Sequence, residues 1–382
     1  MKSRIKLTYI VDVFTTNMAG TENQVIKMIN GLDKEKFDIQ LICLNSHPWF
    51  EKNLAAFHCT STVITVKYFK QITTYLNLVK LIQHLRRSGP DIVHTFLPVS
   101  NIVGVLAAKI AGVKTIISSR RDYGEWMTRR YSMATKLADR YTDAIVTNSN
   151  EVKQLTEREE NIPREKIHVI VNGLDLKTFK PNERDPLLKK QLGIPADNKV
   201  IGIIANFRPM KRHDTFIKAA REIALIRPDV SFLLLGDGEL IDETRELAKR
   251  LDIIQRCHFL GRQENIARFI SLMDISVNCS KQEGLSNALM ECMAAGVPCI
   301  VTHSGGNPDL ITHNINGYTF DLDDYKTLAR LALELLENKA TRDRFILNAQ
   351  EKIEKEMDLN TMLSNYERLY ETLFKNKPTS SP

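Results

Sequence analysis

Two glutamates, Glu283 and Glu291, are separated by seven residues in the stretch from Cys279 to Leu310. The residues between them predict a loop that leads into a helix, with Ser286 or Asn287 as the N-terminal cap. The first amides of a helix are left without intrahelical partners and carry a partial positive charge, which suits a phosphate. A carboxylate at this position also stabilises the helix start. Spacing alone therefore leaves a ligand site and a simple capping charge both open.

The sequence EGLSNALMECMAAGVPCIVTHSGGNPDL resembles the signature of retaining, nucleotide-sugar-dependent glycosyltransferases of the GT-B fold. This is the family of group 1 glycosyl transferases, similar to glycosyltransferase family 4. The resemblance implies that Glu283 bonds the donor sugar and that Glu291 takes the ribose hydroxyls of the nucleotide. It also implies that the backbone amides between them meet the donor phosphates, which agrees with the anion preference of a helix start.

A basic loop, IANFRPMKRHD, follows the first predicted strand of the second half. The family form is G-R-x-x-P-x-K, and here Asn206 stands where the family has its arginine. The resemblance assigns Lys211 to the donor diphosphate, and Arg208 is assigned by chemistry and nearness. A leaving diphosphate needs fixed positive charge, which both side chains supply. The alternative is a solvated basic loop.

Other turns that close predicted strands extend the resemblance. NMAGTEN matches the family form G-G-x-E except at Ala19, and LGDGEL and LGR correspond to turns that line the nucleotide. Each is also an ordinary turn sequence. The predicted donor-binding residues are Gly20, Thr21, Asn206, Gly236, Arg262, Gly284, Leu285, Ser286, Asn287, Glu291, Gly305 and Gly306.

Two sites in the first half complete the predicted set. His94 ends the strand DIVHTF, where the family often carries a histidine, and with Glu283, Arg208 and Lys211 it forms the predicted catalytic group. Arg120 and Arg121 stand where many members have a second histidine. Paired arginines would favour a negatively charged acceptor, although they also form ordinary surface pairs.

Composition limits the class of protein. A chain of 382 residues with 43% apolar and 26% charged residues predicts two globular domains. The six cysteines show no C-x-x-C spacing, and the histidines show no zinc-binding spacing, so we expect reduced cysteines, no metal and no cofactor. The longest apolar stretch is far shorter than the roughly 18 residues of a membrane span. These features predict a cytoplasmic protein.

The net charge of +7 is unevenly placed, with +8 in residues 1–170 and −1 in the remainder. An anionic acceptor or an anionic membrane face would explain the basic first half, and so would a solvated surface. A helix from Met127 to Tyr141 has apolar and basic faces, which fits peripheral membrane contact or, more commonly, an amphipathic core helix. We expect no nucleic-acid partner.

Strands and helices alternate in both halves, which predicts an α/β fold of two Rossmann-like, doubly wound parallel-sheet domains. The predicted domains are an acceptor-side domain, residues 1–175, and a donor domain, residues 176–358, facing a central cleft. The resemblance implies that a C-terminal helix, residues 359–374, packs back on the first domain.

The resulting prediction is a glycosyltransferase that moves a sugar with retention from a UDP- or GDP-sugar to a glycan, lipid-linked or other acceptor. The family suggests a role in cell-surface polysaccharide or glycolipid biosynthesis. The alternatives are a nucleotide-sugar epimerase of the same fold and a non-catalytic nucleotide-binding protein. A dehydrogenase is disfavoured because the G-x-G-x-x-G fingerprint is missing.

Overall fold

The computed structural model of this protein describes residues 4–16, 20–66, 72–121, 128–179 and 185–376. They form two compact units, the first comprising Met1–Gly173 with Leu359–Pro382, and the second comprising Leu174–Asp358. The sequence predicts the division after residue 175. Three predictions fall outside the described residues: Ala19 in the first loop, Met127 at the start of a helix, and residues 180–184 of the connecting segment.

The first unit is built on a seven-stranded parallel sheet with strand order β3-β2-β1-β4-β5-β6-β7. Its strands are β1 Ile5–Val11, β2 Phe37–Cys43, β3 Thr60–Val63, β4 Ile92–Thr95, β5 Thr115–Arg120, β6 Ala144–Thr147 and β7 Ile167–Val169. Its helices are α1 Gly20–Gly31, α2 Pro48–Lys52, α3 Ile72–Ser88, α4 Val105–Ala111, α5 Arg129–Asp139 and α6 Asn150–Glu160, with a π-helical turn at Ser100–Gly104.

Strand β1 shows why both faces of this sheet are covered. Tyr9 packs into a cluster with Met28 of α1, whereas the next residue, Ile10, packs into a second cluster with Leu81 of α3. Successive side chains of a strand point to opposite faces, so a strand that is apolar throughout needs helices on both sides. The first unit is therefore a three-layer α/β unit.

The C-terminal helix, Leu359–Lys375, packs into the core of the first unit. Met362, Tyr366 and Tyr370 are almost completely buried there, and the Tyr370 hydroxyl lies 3.2 Å from the Tyr9 hydroxyl. Leu363 packs so closely on Gly31 that a side chain at Gly31 would displace it. The end of the chain thus supplies part of the first hydrophobic core.

The second unit is built on a six-stranded parallel sheet with strand order β10-β9-β8-β11-β12-β13. Its strands are β8 Lys199–Ile204, β9 Val230–Leu235, β10 Cys257–Gly261, β11 Ile275–Asn278, β12 Cys299–Thr302 and β13 Tyr318–Phe320. Its helices are α7 Pro186–Gln191, α8 His213–Ile226, α9 Ile241–Arg250, α10 Ile266–Ile270, α11 Asn287–Ala294, α12 Asn307–Leu310, α13 Tyr325–Glu337 and α14 Lys339–Glu356. Among the described helices, none has the length and apolar character to span a membrane.

Met362→Ala tests the contribution of the C-terminal helix to the first core. Removing this buried side chain should lower the free energy of unfolding by about 2–5 kcal/mol, because its apolar contacts are lost and a cavity is left. Urea denaturation followed by circular dichroism measures the change. Ser364→Ala, at an exposed position of the same helix, is the control and should shift stability by no more than about 0.5 kcal/mol. Equal stability of the two variants would show that the helix is not part of the core.

Candidate active site

The parallel sheet of the second unit brings the donor-side candidates to one edge. The carboxyl ends of parallel strands lie on the same side of a sheet, where ligands of such folds bind. The residues that follow these ends are Asn206 to Lys211 after β8, Gly236 after β9, Arg262 after β10, Glu283 after β11, and Gly305 and Gly306 after β12.

An ion pair joins two of the predicted catalytic residues. The Lys211 Nζ lies 2.7 Å from the Glu283 Oε1, and both side chains are mostly buried. The Asn278 Nδ2 donates to the Glu283 Oε2 at 3.0 Å. Burial raises the pKa of Glu283, but the charge and hydrogen bond of Lys211, with hydrogen bonds from neighbouring side chains, outweigh it and leave the pKa below its ordinary value. Glu283 is therefore ionised at neutral pH.

Backbone contacts hold the loops that carry this pair. Lys211 closes a 3-10 turn, Pro209–Lys211, and the Lys281 amide donates to the carbonyl of Met210 at 2.8 Å. From the other side, the Gly306 amide donates to the Glu283 carbonyl at 2.9 Å. Gly305 has a φ of +57°, and a Cβ there would lie 2.6 Å from the Glu283 carbonyl oxygen. Glycine is thus required for the loop after β12 to come this close.

The start of α11 presents free backbone amides beside Glu283. Ser286 caps the helix, with its Oγ accepting from the Leu289 amide at 3.3 Å. Within the described part of the chain, the amides of Gly284, Leu285 and Ser286 donate to no acceptor. Such amides, together with the helix dipole, favour a bound anion. Asn287 is the first residue of the helix.

Glu291 lies in the middle of α11 and is only 8% exposed. A ribose could therefore reach only a small part of its side chain. The predicted ribose contact of Glu291 stays a prediction, whereas the position of Glu283 is defined by the contacts of its carboxylate.

The two arginines of the basic loop differ in their partners. Arg208 is exposed, and its side chain makes no ion pair or hydrogen bond with any described residue. Arg212 pairs with Asp214 at 2.9 Å and with Asp323 at 2.8 Å. Arg208 is therefore the arginine of this loop that can meet a ligand. Asn206 and Arg262 are exposed at the same sheet edge.

His213 supports this loop and was not singled out by the sequence. It is 3% exposed and stacks on Phe207, with ring centroids 4.0 Å apart. Burial and the nearby charge of Lys211 lower the pKa of His213 to about 4, so the ring is neutral at physiological pH. Its stacking holds the backbone between β8 and Lys211, and no motif in the sequence signals this role.

His94 lies in the interior of the first unit. It is fully buried, with its Nδ1 2.8 Å from the Tyr370 hydroxyl and its Nε2 2.9 Å from the Ser119 hydroxyl. Burial, with the charge of Arg121, lowers the pKa of His94 well below its ordinary value. Both ring nitrogens are used inside the fold, so these contacts give His94 a structural position and provide no support for the predicted catalytic role.

Arg120 is also committed to the interior. It is 4% exposed and pairs with Asp139 at 2.7 Å and with Glu160 at 2.9 Å. This geometry does not make Arg120 available to an acceptor, contrary to the expectation from sequence. Arg121, the other predicted acceptor-side residue, forms no such pair with a described residue.

Glu22 holds the described residues Thr15 and Thr16, which follow β1. Its carboxylate accepts from the Thr15 and Thr16 amides, each at 2.9 Å. Gly20 and Thr21, predicted to contact the donor, are the first residues of α1 and are more exposed than Glu22. Glu22, the glutamate of the G-G-x-E form, therefore has a structural role in holding the backbone after β1.

Two parallel-sheet units, one with basic side chains and free backbone amides at the carboxyl ends of its strands, are typical of two-domain enzymes that bind a nucleotide diphosphate. Residues 18–178 match the family model described as Glycosyltransferase Family 4, and residues 185–352 match the model described as Glycosyl transferases group 1. The chain belongs to the group 1 glycosyltransferases of the GT-B fold.

Similar proteins agree with this family. The chain is 27% identical over 351 residues to the UDP-Gal:alpha-D-GlcNAc-diphosphoundecaprenol alpha-1,3-galactosyltransferase of Escherichia coli, covering 88% of this chain and 89% of that one. It is 32% identical to the N-acetyl-alpha-D-glucosaminyl L-malate synthase of Bacillus anthracis over 54% of each chain. HepE of Anabaena, solved with UDP and glucose, superposes with a TM-score of 0.86 at 20% identity, covering 97% of this chain and 100% of that one. The protein is a glycosyltransferase that uses a nucleotide-sugar donor.

Glu283→Gln should lower the free energy of unfolding by about 1–3 kcal/mol at pH 7, because Lys211 loses its charged partner. A carboxyl whose pKa is lower in the folded than in the unfolded state stabilises the fold above its unfolded pKa, and this contribution is lost as the pH falls through the folded pKa. The difference between wild type and variant should therefore shrink in acid. Urea unfolding from neutral pH down to about pH 3 measures it.

Glu264→Gln, an exposed position in the same unit, serves as the control and should leave the pH dependence of wild type unchanged. A difference between wild type and Glu283→Gln that stays constant across this pH range would contradict the assigned ionisation of Glu283.

Proposed function

We propose that the enzyme transfers a sugar with retention from a UDP-sugar to a lipid-linked or glycan acceptor in the synthesis of a cell-surface polysaccharide or glycolipid. The observation that carries this proposal is the Lys211–Glu283 ion pair beside the free amides at the start of α11. The names of two similar proteins support the donor, since one uses UDP-Gal and the other was solved with UDP. A GDP-sugar is the alternative donor.

In the proposed reaction, the bond between the anomeric carbon and the diphosphate oxygen breaks, and its electron pair leaves with UDP. The acceptor oxygen bonds the anomeric carbon on the same face, and its proton passes to the departing phosphate. Lys211, Arg208 and the amides of α11 stabilise the growing charge of the diphosphate. Glu283 accepts hydrogen bonds from hydroxyls of the donor sugar and orients it.

The basic cluster gives a reason to propose a reaction without metal or cofactor. Lys211 and Arg208 supply the positive charge that a metal ion provides elsewhere. No group of three or more His, Cys, Asp and Glu side chains in the described ranges could hold a metal ion. The six free cysteines suit a reducing compartment, and we place the reaction in the cytoplasm.

Lys211→Ala should reduce transfer by about 10²–10³-fold, because the leaving diphosphate loses a fixed cation, and Glu291→Ala should weaken donor binding. Thermal shifts with a panel of UDP- and GDP-sugars identify the donor, because a bound ligand raises the melting temperature. Transfer is then measured with that donor, and circular dichroism verifies the fold. Lys281→Ala, in the neighbouring loop, is the matched control and should retain activity.

Full transfer by both Lys211→Ala and Glu291→Ala would contradict the proposed donor site. Conversion of the donor to its epimer without any acceptor would indicate an epimerase instead, whereas a transferase would at most hydrolyse the donor slowly.

We also propose that α5 contacts an anionic membrane surface, where a lipid-linked acceptor would reside. Met133, Leu137 and Tyr141 are 64%, 48% and 39% exposed. The exposed basic residues of the same segment are Arg129, Arg130, Lys136 and Arg140. Apolar side chains flanked by cations are typical of interfacial helices.

The double variant Met133→Ser/Leu137→Ser should lose binding to vesicles that contain phosphatidylglycerol, because it removes the apolar area that would insert. Sedimentation with anionic and with phosphatidylcholine vesicles measures binding, which should weaken with salt. Leu225→Ser/Ile226→Ser changes two exposed apolar residues of α8 and is the control. Equal sedimentation of both double variants would exclude α5 as the contact.

A further inference from the structure

Two adjacent arginines at the end of β5 have opposite surroundings. Arg120 uses its guanidinium fully: its Nε donates to Glu160 at 3.0 Å, its Nη2 donates to Asp139 at 2.7 Å, and its Nη1 donates to the Ser118 hydroxyl at 3.1 Å. Two carboxylates surround one cation, and burial raises the pKa of Asp139 to about 6 despite the charge of Arg120. Arg120 is thus a neutralised, structural arginine.

Arg121 is buried, and no described residue provides it with a counterion. It is 7% exposed, and its Nη1 and Nη2 atoms have no hydrogen-bond partner within the described part of the chain. Its backbone is nevertheless fixed, because its carbonyl accepts from the Asn148 Nδ2 at 3.0 Å. A buried cation that lacks a partner is costly to the fold. Arg121 therefore contributes little to the stability of the fold. A role in binding a ligand would explain its position.

Three uncharged aromatic side chains lie near Arg121. These are His94, Tyr366 and Tyr370, whose rings pack together, with the His94 and Tyr366 centroids 6.0 Å apart and the Tyr366 and Tyr370 centroids 5.9 Å apart. The charge of Arg121 acts on all three and helps to lower the pKa of His94. His94 and Tyr370 are already joined to each other at 2.8 Å. The Tyr366 hydroxyl has no hydrogen-bond partner of normal geometry among the described residues, although Arg121 lies close enough to interact with it.

The unused polar atoms around Arg121 therefore include two guanidinium nitrogens and one hydroxyl. All three can donate, and a guanidinium cannot accept. A planar guanidinium presents two donors to neighbouring oxygens of a phosphate or a carboxylate. A phosphate has a third oxygen for the hydroxyl, whereas a carboxylate has only two, so the arrangement favours phosphate.

We propose that Arg121 and Tyr366 form a phosphate-binding subsite of the first unit, which holds a phosphate group of the acceptor. Arg121 directly follows the carboxyl end of β5, and ligands of parallel sheets bind at this edge. The assignment of this phosphate to the acceptor rests on the proposed function. The existence of the anion site does not, because it follows from the contacts of the first unit alone.

The test measures binding of inorganic pyrophosphate while saturating UDP occupies the donor site. Thermal shift and calorimetry with wild type should show pyrophosphate binding in addition to UDP. Arg121→Met should weaken pyrophosphate binding at least tenfold, and Tyr366→Phe should weaken it severalfold, while UDP binding stays unchanged in both. Arg158→Gln, at an exposed arginine of the same unit, is the control and should bind as wild type does.

Stability separates a ligand-binding role from a structural one. Arg121→Met removes an uncompensated buried charge and should leave the melting temperature of the protein unchanged or higher. Arg120→Met leaves two buried carboxylates without their cation and should lower the melting temperature clearly. If Arg121→Met instead lowers the melting temperature as Arg120→Met does and binds pyrophosphate normally, Arg121 is structural and the proposal fails.

Two further outcomes distinguish this proposal from the proposed function. Absence of any pyrophosphate response in wild type overturns the subsite, whether or not UDP binds. Failure of UDP to bind, together with pyrophosphate binding that depends on Arg121, overturns the donor assignment and leaves the subsite in place. Tyr366→Phe removes only the hydroxyl oxygen. If Arg121→Met does not fold, pyrophosphate binding by Tyr366→Phe therefore tests the subsite in its place.

Discussion

The ion pair between Lys211 and Glu283 depends on the parallel direction of the strands that precede it. Lys211 follows β8 and Glu283 follows β11, which are neighbours in the sheet. In an antiparallel pair the two residues would leave from opposite ends. The close approach of Gly305 then fixes the backbone of Glu283, and the capped start of α11 follows at once. This charged contact and the backbone contacts around it therefore bring the loops after three strands together beside the start of α11.

Much of the fold could be predicted from the sequence because continuous apolar runs of four or more residues between turn residues are easy to recognise. Apolar runs predict strands from Ile5 to Val11, from Ile92 to Thr95 and from Ala144 to Thr147, and the bounds of β1, β4 and β6 agree with them. The strands β7 and β13 were not predicted, since each has only three residues and too short an apolar run to stand out. These two strands form because they pair with their neighbours, β6 and β12, in the sheets. The helices α13 and α14, in the stretch after the recognised motif, were also not predicted.

The candidate site was predictable only where a motif fixes the backbone. Lys211 and Glu283 lie in loops whose sequence determines the local conformation, and the structure brings them together. His94 and Arg120 end strands, and the sequence does not show whether a polar side chain there turns outward or inward. Both turn inward, because partners from distant segments, such as Tyr370 and Glu160, satisfy them. The contrast between Arg120 and Arg121 likewise needs the positions of residues far away in the chain.

The path of the chain makes the second unit an insertion within the first. The chain leaves the first unit after Gly173 and returns at Leu359. The two ends of the insertion meet, since the Leu174 amide donates to the Met357 carbonyl at 2.8 Å and Leu174 bridges to Asp358. During synthesis on the ribosome, the first unit therefore cannot complete its core until the last helix has emerged. The inserted unit is free to fold before the unit that was begun first.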